Sequence, residues 1–496
     1  MKLERVELLR LEHRLSQGEL PEDSRLVLLE AVRHLLRCRY RPGSAAAAPT
    51  ERRKPRRKVK GKKKGHGRHG ASEFTGAERV VVLHPELKAG EACPEPQCGG
   101  KLYDLHAPNK DVELKAQPPI QAKVYECQVL RCARCQKTFP APLPPEAHGA
   151  KYHPSVDAVV SVMRYALGMP HHRLAQWQMW AGVPLSASTQ FERVEAMANA
   201  VFPVYRQLET LAANRPLIQS DDTGARILEL QTENKARAPD ERTGIFTTGI
   251  VARSFDQAVP PIVLYASGRR HAGENLDRLL ANRSDKAGDV IHMADASSMA
   301  PRSARRVTAK CMVHARRYFI EAYAAFPEHC ERVLNDIAKI YQFDDKTRSM
   351  DPDARLDYHQ HNSRPIMEAL YEWIETQFRE RIVEPNSRLG KAFSYMKNHW
   401  KGLNLFLEVP GVPLDNNETE QELKPAQRHR KNSLFFKTQA GAEVGDVLLS
   451  ITRTSVKNGV DPVDYLSAVA THADDVRRST ESWLPWNYQN NLKTLN

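Results

Sequence analysis

Leu8, Leu11 and Leu15 recur at helical spacing, and after Asp23-Ser24 the spacing returns with Leu28, Val32, Leu35 and Leu36, so residues 1–40 are expected to form a helical hairpin. Helical periodicity resumes from Ser155 to about Ala212. There a helix over His172–Ala181, a Gly182-Val183 turn and a second helix capped at Ser186 or Ser188 have the proportions of a helix-turn-helix pair. Such pairs serve DNA binding and plain helical packing alike. The period then changes. Apolar, β-branched runs at Leu217–Ile218 and Ile227–Leu230, Ile245–Ala252 and Ile262–Tyr265 predict strands, a short helical piece carries Leu276, Leu279 and Leu280, and Val290–Ala294 and Lys310–Val313 predict two more strands. From Ala315 to about Trp400 the pattern is helical, with Phe319, Val333, Ile337, Met367, Leu370 and Ile374 as expected core.

Three strands, a helix, a strand, a helix or loop and a strand is the element order of a ribonuclease-H-like α/β core: an antiparallel meander followed by parallel strands. The helical stretch after it reads as an all-helical insertion.

Charge changes the picture at one place. The 496 residues hold 73 Lys+Arg against 60 Asp+Glu, a formal +13, and 41% hydrophobic residues, enough for several cores. Eleven cations against one acid fall between Glu51 and Gly70: Arg52, Arg53, Lys54, Arg56, Arg57, Lys58, Lys60, Lys62, Lys63, Lys64 and Arg68. Broken by Pro55 and three glycines and nearly free of apolar residues, this tract is expected to be disordered alone and to meet a polyphosphate; a solvated linker is the alternative. No run of about 18 apolar residues occurs and the charged N-terminus does not resemble a leader, so a soluble, cytoplasmic chain with no membrane partner is expected.

Five of the eight cysteines lie between Cys93 and Cys135. Cys93-x4-Cys98 and Cys132-x2-Cys135 are spaced as the two knuckles of a zinc ribbon, whose four thiolates would hold one structural Zn²⁺; buried cysteines without metal are the alternative. Cys127 reads as a packed thiol. The chain is thus expected to be multidomain, α/β and α: an N-terminal helical hairpin (1–40), a basic linker (41–75), a zinc-ribbon module (76–145), a helical, helix-turn-helix-like region (146–212), a ribonuclease-H-like core (213–470) with its insertion at about 315–410, and a tail (471–496).

Within that order three acids stand out. Asp221-Asp222-Thr223 lies at the first strand, Asp295 ends the fourth, and Glu420 opens a helix introduced by Asp415-Asn416-Asn417. In a ribonuclease-H-like core these places converge, and carboxylates gathered there hold two Mg²⁺ about 3.5–4 Å apart for phosphodiester chemistry. Taken singly, an Asp at a strand end is more often a turn former or helix cap, and Glu420 on the first turn of its helix could serve the helix dipole. Period-two alternation does not decide between Asp221 and Asp222. The basic run Arg428-His429-Arg430-Lys431-Asn432 suits phosphate contacts.

Asp415-Asn416-Asn417-x2-Glu420-x2-Leu423-Lys424, followed by His429-Arg430-Lys431-Asn432-x-Leu434-Phe435, resembles the C-terminal signature of the large transposase of the insertion-sequence sixty-six family. Asp221-Asp222-Thr223, Asp295-Ala296 with Ser298, Cys311-x2-His314-Ala315-Arg316-Arg317, Glu384-Pro385-Asn386-Ser387 and Gly459-Val460-Asp461-Pro462-x2-Tyr465-Leu466 extend the resemblance over about residues 62–470. It implies a DDE-type DNA transposase that cuts element ends and joins the freed 3′-hydroxyls to target DNA. The implied triad is Asp221, Asp295 and Glu420, holding two Mg²⁺ with Mn²⁺ as substitute. Arg316, Arg317, Lys424, Arg428, Arg430 and Lys431 are expected on DNA beside the basic tract. Implied partners are double-stranded DNA at terminal repeats and target, a second copy of the chain, and small accessory proteins. Gln421 stands where the family usually has Arg. A non-catalytic DNA-binding descendant, or a nuclease or resolvase without strand transfer, is the alternative.

Overall fold

The computed structural model describes residues 89–92, 100–102, 119–126, 128–131, 138–142, 144, 151–238, 240–295 and 306–495. The expected N-terminal hairpin, the basic tract and Cys93, Cys98, Cys132 and Cys135 lie outside the described residues. The chain divides into two compact units, Met1–Lys115 and Ala116–Asn496. In the first, an antiparallel bridge joins Ala92 to Lys101.

The second unit begins with β1 (Val129–Arg131), paired antiparallel with β2 (Thr138–Pro140). Helix α1 (Pro154–Ser161) runs into a π-helical turn, Val162–Ala166, and α2 (His171–Trp180) follows. Gly182, at φ +73°, turns the chain in a conformation that costs glycine little. Ser186 then caps α3 (Ala187–Ala213) by accepting from the Thr189 amide. The expected second helix is 27 residues long. Val194, Met197, Val201, Val204 and Leu208, spaced alternately three and four apart, are fully buried along it, so most of α3 is a packing helix.

The sheet follows: β3 (Leu217–Gly224), α4 (Leu228–Asn234), β4 (Phe246–Arg253), β5 (Ile262–Gly268), α5 (Ala272–Leu280), β6 (Val290–Ala294) and β7 (Arg306–Lys310). The strand order is β5-β4-β3-β6-β7, antiparallel among β3, β4 and β5 and parallel from β3 through β6 to β7. Two expectations are corrected. Ile227–Leu230 is no strand: Ile227 caps α4, and Ile227 and Leu230, three apart, sit together in one small core as helical spacing requires. The last strand is Arg306–Lys310, earlier than Lys310–Val313, because Met312, Ala315 and Phe319 already follow helical spacing.

Helices fill the chain from there. α6 (Met312–Ala322), α7 (Pro327–Thr347), α9 (Arg364–Arg379), α10 (Arg388–Asn398) and α11 (Trp400–Leu403) contribute to one apolar cluster with Leu217, Ile291, Met293 and Ala309 of the sheet, and α8 (Pro352–Asn362) lies between α7 and α9 in the chain. Then come α12 (Asn417–Ser433), α13 (Gln439–Lys457), α14 (Pro462–Thr471), α15 (Ala473–Arg478) and α16 (Tyr488–Leu495). Strand alternation divides the sheet's two faces. Ile218, Ile250, Ala252, Ile262 and Leu264 pack with α3 and α5, while Val251, Val263 and Tyr265 pack with Leu423 of α12 and Leu449 of α13. Burying each large apolar side chain contributes about 1.5–3 kcal/mol.

Helix α13 also closes the sheet's outer edge. Asp446, Ser450 and Thr454, four residues apart, accept hydrogen bonds from the Ser267, Tyr265 and Val263 amides, two residues apart on β5. Four helical residues rise about 6 Å and two strand residues about 6.8 Å, so the two rows stay in step. Donors that an open edge would leave bare are satisfied by a helix.

Candidate active site

Strand β3 carries the polar end of the sheet: Leu217 through Ser220 are buried, and Asp221 and Asp222 are half-buried. The two carboxylates point to opposite faces, as neighbours on a strand must. Asp222 accepts from the Thr248 hydroxyl at 2.6 Å and from the Ala272 amide at the start of α5, also at 2.6 Å. It is a cap. Asp221 shares its face with Gln219, whose amide donates to the Asp415 carbonyl at 3.3 Å and whose carbonyl accepts from Thr419 at 3.5 Å. That is the face covered by the first turn of α12.

The parallel register of β3 and β6 runs from Leu217 opposite Ile291 to Gln219 opposite Met293, and two further residues set Asp221 level with Asp295 just past the end of β6. Asp295 is half-buried, with Oδ2 3.4 Å from His314 Nε2 on α6 and its own carbonyl accepting from Lys310 at 3.3 Å. Sequence reading gave His314 no role, although its place three residues after Cys311 at a strand-to-helix junction marks it.

Glu420 arrives on α12. Asn416, fully buried, donates from its side chain to the Ser220 carbonyl at 3.1 Å, and its amide donates to Cys311 Sγ at 3.3 Å, tying the start of α12 to β3 and to the β7–α6 junction. Gly249, directly opposite Asp221 in the β3–β4 register, makes the close approach possible: a Cβ there would lie 2.9 Å from Leu423 Cδ2. The acids of α12 then separate by helical angle. Glu418 pairs with Arg253 and Lys457, and Glu422 with Arg453 at 2.7 Å, all on one face. The Glu420 carboxylate, about 200° around the helix from each, makes no hydrogen bond or ion pair among the described residues.

The electrostatics agree with this convergence. Burial, then the negative charges of Glu420, Asp222 and Asp295, push the Asp221 carboxyl up to about 6, against a 2.8 Å hydrogen bond from the Asp222 amide. Among the described residues no basic side chain pairs with Asp221, and no three His, Cys, Asp or Glu side chains are close enough to enclose a metal ion by themselves. Carboxylates that repel one another across a gap are nonetheless the hard-oxygen donor set a divalent cation suits.

Of the basic residues singled out, Arg317, Lys424, Arg428 and Lys431 are exposed and Arg316 and Arg430 half-buried. Arg430 donates to the Gly224 carbonyl and Arg428 to Ala166 at 3.4 Å, so both also clamp α12 to its neighbours. No described helix is long and apolar enough to cross a membrane.

Comparison with known proteins places this arrangement. The family model described as Transposase IS66 family matches residues 149–444. The uncharacterized protein y4jD of Sinorhizobium fredii is 25% identical over 422 residues, 82% of this chain and 80% of that protein. A second uncharacterized protein of the same organism, y4hP, is 25% identical over 433 residues, 83% of this chain and 75% of its own length. The matched family segment exceeds half the chain and contains Asp221, Asp295 and Glu420 together with the sheet and helices that carry them, and the chain belongs to the IS66 transposase family.

Proposed function

We propose that the chain is a DDE-type transposase whose Asp221, Asp295 and Glu420 hold two Mg²⁺, with Mn²⁺ as substitute, in a ribonuclease-H-like core. The observation that carries the reading is the convergence just described: Asp221 and Asp295 level on adjacent parallel strands, and Glu420 brought to the same face by a helix that Gly249 lets approach. The strand order, with its antiparallel meander continued by parallel strands, supports the core assignment.

The chemistry that bound Mg²⁺ would supply is a lowered pKa for the attacking water or 3′-hydroxyl and charge neutralisation at the leaving oxygen. The chain's own residues provide the frame. Asn416 and Gln219 fix the first turn of α12, His314 orients Asp295, and Asp222 anchors α5 without joining the acidic cluster. Lys424, Arg428 and Lys431 continue from Glu420 at four, eight and eleven residues along α12, so a row of cations leads away from the carboxylates as a path for a phosphate backbone. Gln421 is exposed, and its neutral amide leaves the path one cation poorer. Two element ends are handled together, which calls for a homo-oligomer on DNA.

Incubating the full chain with Mg²⁺ and labelled element-end duplex tests the reading. Cleavage and joined product are both expected, and both should vanish with chelator. Cleavage without joining would make the protein a nuclease or resolvase, and end binding without cleavage a DNA-binding descendant.

A further inference from the structure

Where the π-helical turn Val162–Ala166 meets the end of α12, basic groups are buried together without an acid. Arg164 is half-buried and donates to the Ser433 hydroxyl; its Nε is buried and without a partner. His429, only 4% exposed, is stacked between Tyr165, with centroids 5.7 Å apart, and Phe436, at 4.6 Å, and its Nε2 is also buried and unpartnered. His171 turns Nδ1 to Gln190 Oε1 at 3.1 Å, and because the same amide donates to the Leu185 carbonyl, Oε1 is the acceptor and Nδ1 the donor. His171 Nε2 is the third orphan nitrogen.

These groups feel one another. Burial, then the charge of Arg164, pushes His171 down to about 4, and burial, then Arg164 and His171, pushes His429 down to about 3. No carboxylate among the described residues offsets them. Asp446, whose charge reaches Tyr165, is committed to Ser267. Burying a guanidinium and two imidazoles with unpartnered nitrogens is costly unless an anion completes the set. Exposed Arg428 and Lys431, on the same end of α12, put a cationic surface beside it.

We infer that Arg164, His171, His429 and Ser433 form a binding site for one phosphate oxyanion. A tetrahedral phosphate takes several charge-assisted hydrogen bonds at once, and its charge would favour protonated imidazoles, turning both orphan Nε2 atoms into donors. The occupant is a DNA backbone phosphate or free phosphate. Only the DNA source rests on the proposed function; the site stands without it.

The test uses the full chain. Its melting temperature is measured in inorganic phosphate and in chloride of matched ionic strength, for the wild type, Arg164→Gln and, should that variant not fold, Ser433→Ala. A saturable rise in phosphate that the variants lose is expected. In parallel, duplex binding is measured against salt, where one lost backbone phosphate flattens the log–log slope by about 0.9. Loss of the phosphate response together with that flattening identifies DNA as the occupant, and loss of the response with an unchanged slope identifies free phosphate. A wild-type melting temperature no higher in phosphate than in chloride, or a rise that the variants keep, overturns the inference.

Discussion

Asp221 and Asp222 are adjacent, chemically identical and differently employed. Asp222 satisfies the Thr248 hydroxyl and the Ala272 amide, so Asp222→Ala should lower stability by about 1–2 kcal/mol, read as a lower melting temperature. Asp221→Asn should do the reverse in chelator above pH 6, because it removes a carboxylate that burial and three acidic neighbours hold up at about 6. Asp446 gives a second pH signature. Burial raises its carboxyl to about 7 against the two hydrogen bonds from Ser267. A raised folded pKa contributes stability below the unfolded value near 3.8 and loses it as pH rises through about 7, so Asp446→Asn should melt increasingly above the wild type between pH 4 and 8. Equal melting temperatures across that window would show that Asp446 ionises freely. Periodicity did not show this residue-level division, since a period of two says that neighbours diverge but not which face meets α12; only the family resemblance pointed to Asp221.

Among elements, α12 matters most, and its seat is Gly249. Gly249→Val would drive side-chain atoms into Leu423, which is 1% exposed and has no room to yield, so a loss of about 1–3 kcal/mol is expected, with a smaller loss for Gly249→Ala. Because Glu420 is one residue beyond Thr419 at the same contact, Gly249→Val should also slow cleavage while leaving end binding unchanged; a stable variant with full activity would separate the packing from the site. The helix itself was legible, announced by Asp415-Asn416-Asn417 and its acids, but its close approach was not, since the glycine that admits it lies some 170 residues away in the sequence. The strand at Val290–Ala294 was legible from its apolar run, and so was the one read at Ile262–Tyr265, which continues to Gly268. Ile227–Leu230 was not, because two apolar residues three apart satisfy a short strand and a first helical turn equally.

Over the whole described unit, the sheet divides the labour. One face is sealed by α3 and α5, the far edge is closed by α13, the helices from α6 to α11 pack against the β6–β7 side, and the remaining face receives α12 at the polar end of β3. The order of elements and the family resemblance were readable because they depend on local patterns. The proposed meeting of residues 221, 295 and 420 was suggested by the element order and by the resemblance, because separations of 74 and 125 residues carry no periodic signal of their own. The most direct test of that meeting is single-turnover cleavage of element-end DNA in Mg²⁺ by Asp221→Asn, Asp295→Asn and Glu420→Gln, with end binding measured on the same samples. Each variant should bind ends as the wild type does and cleave only at background. Retained cleavage in any one, or a loss of binding that matches the loss of cleavage, would contradict a shared catalytic site.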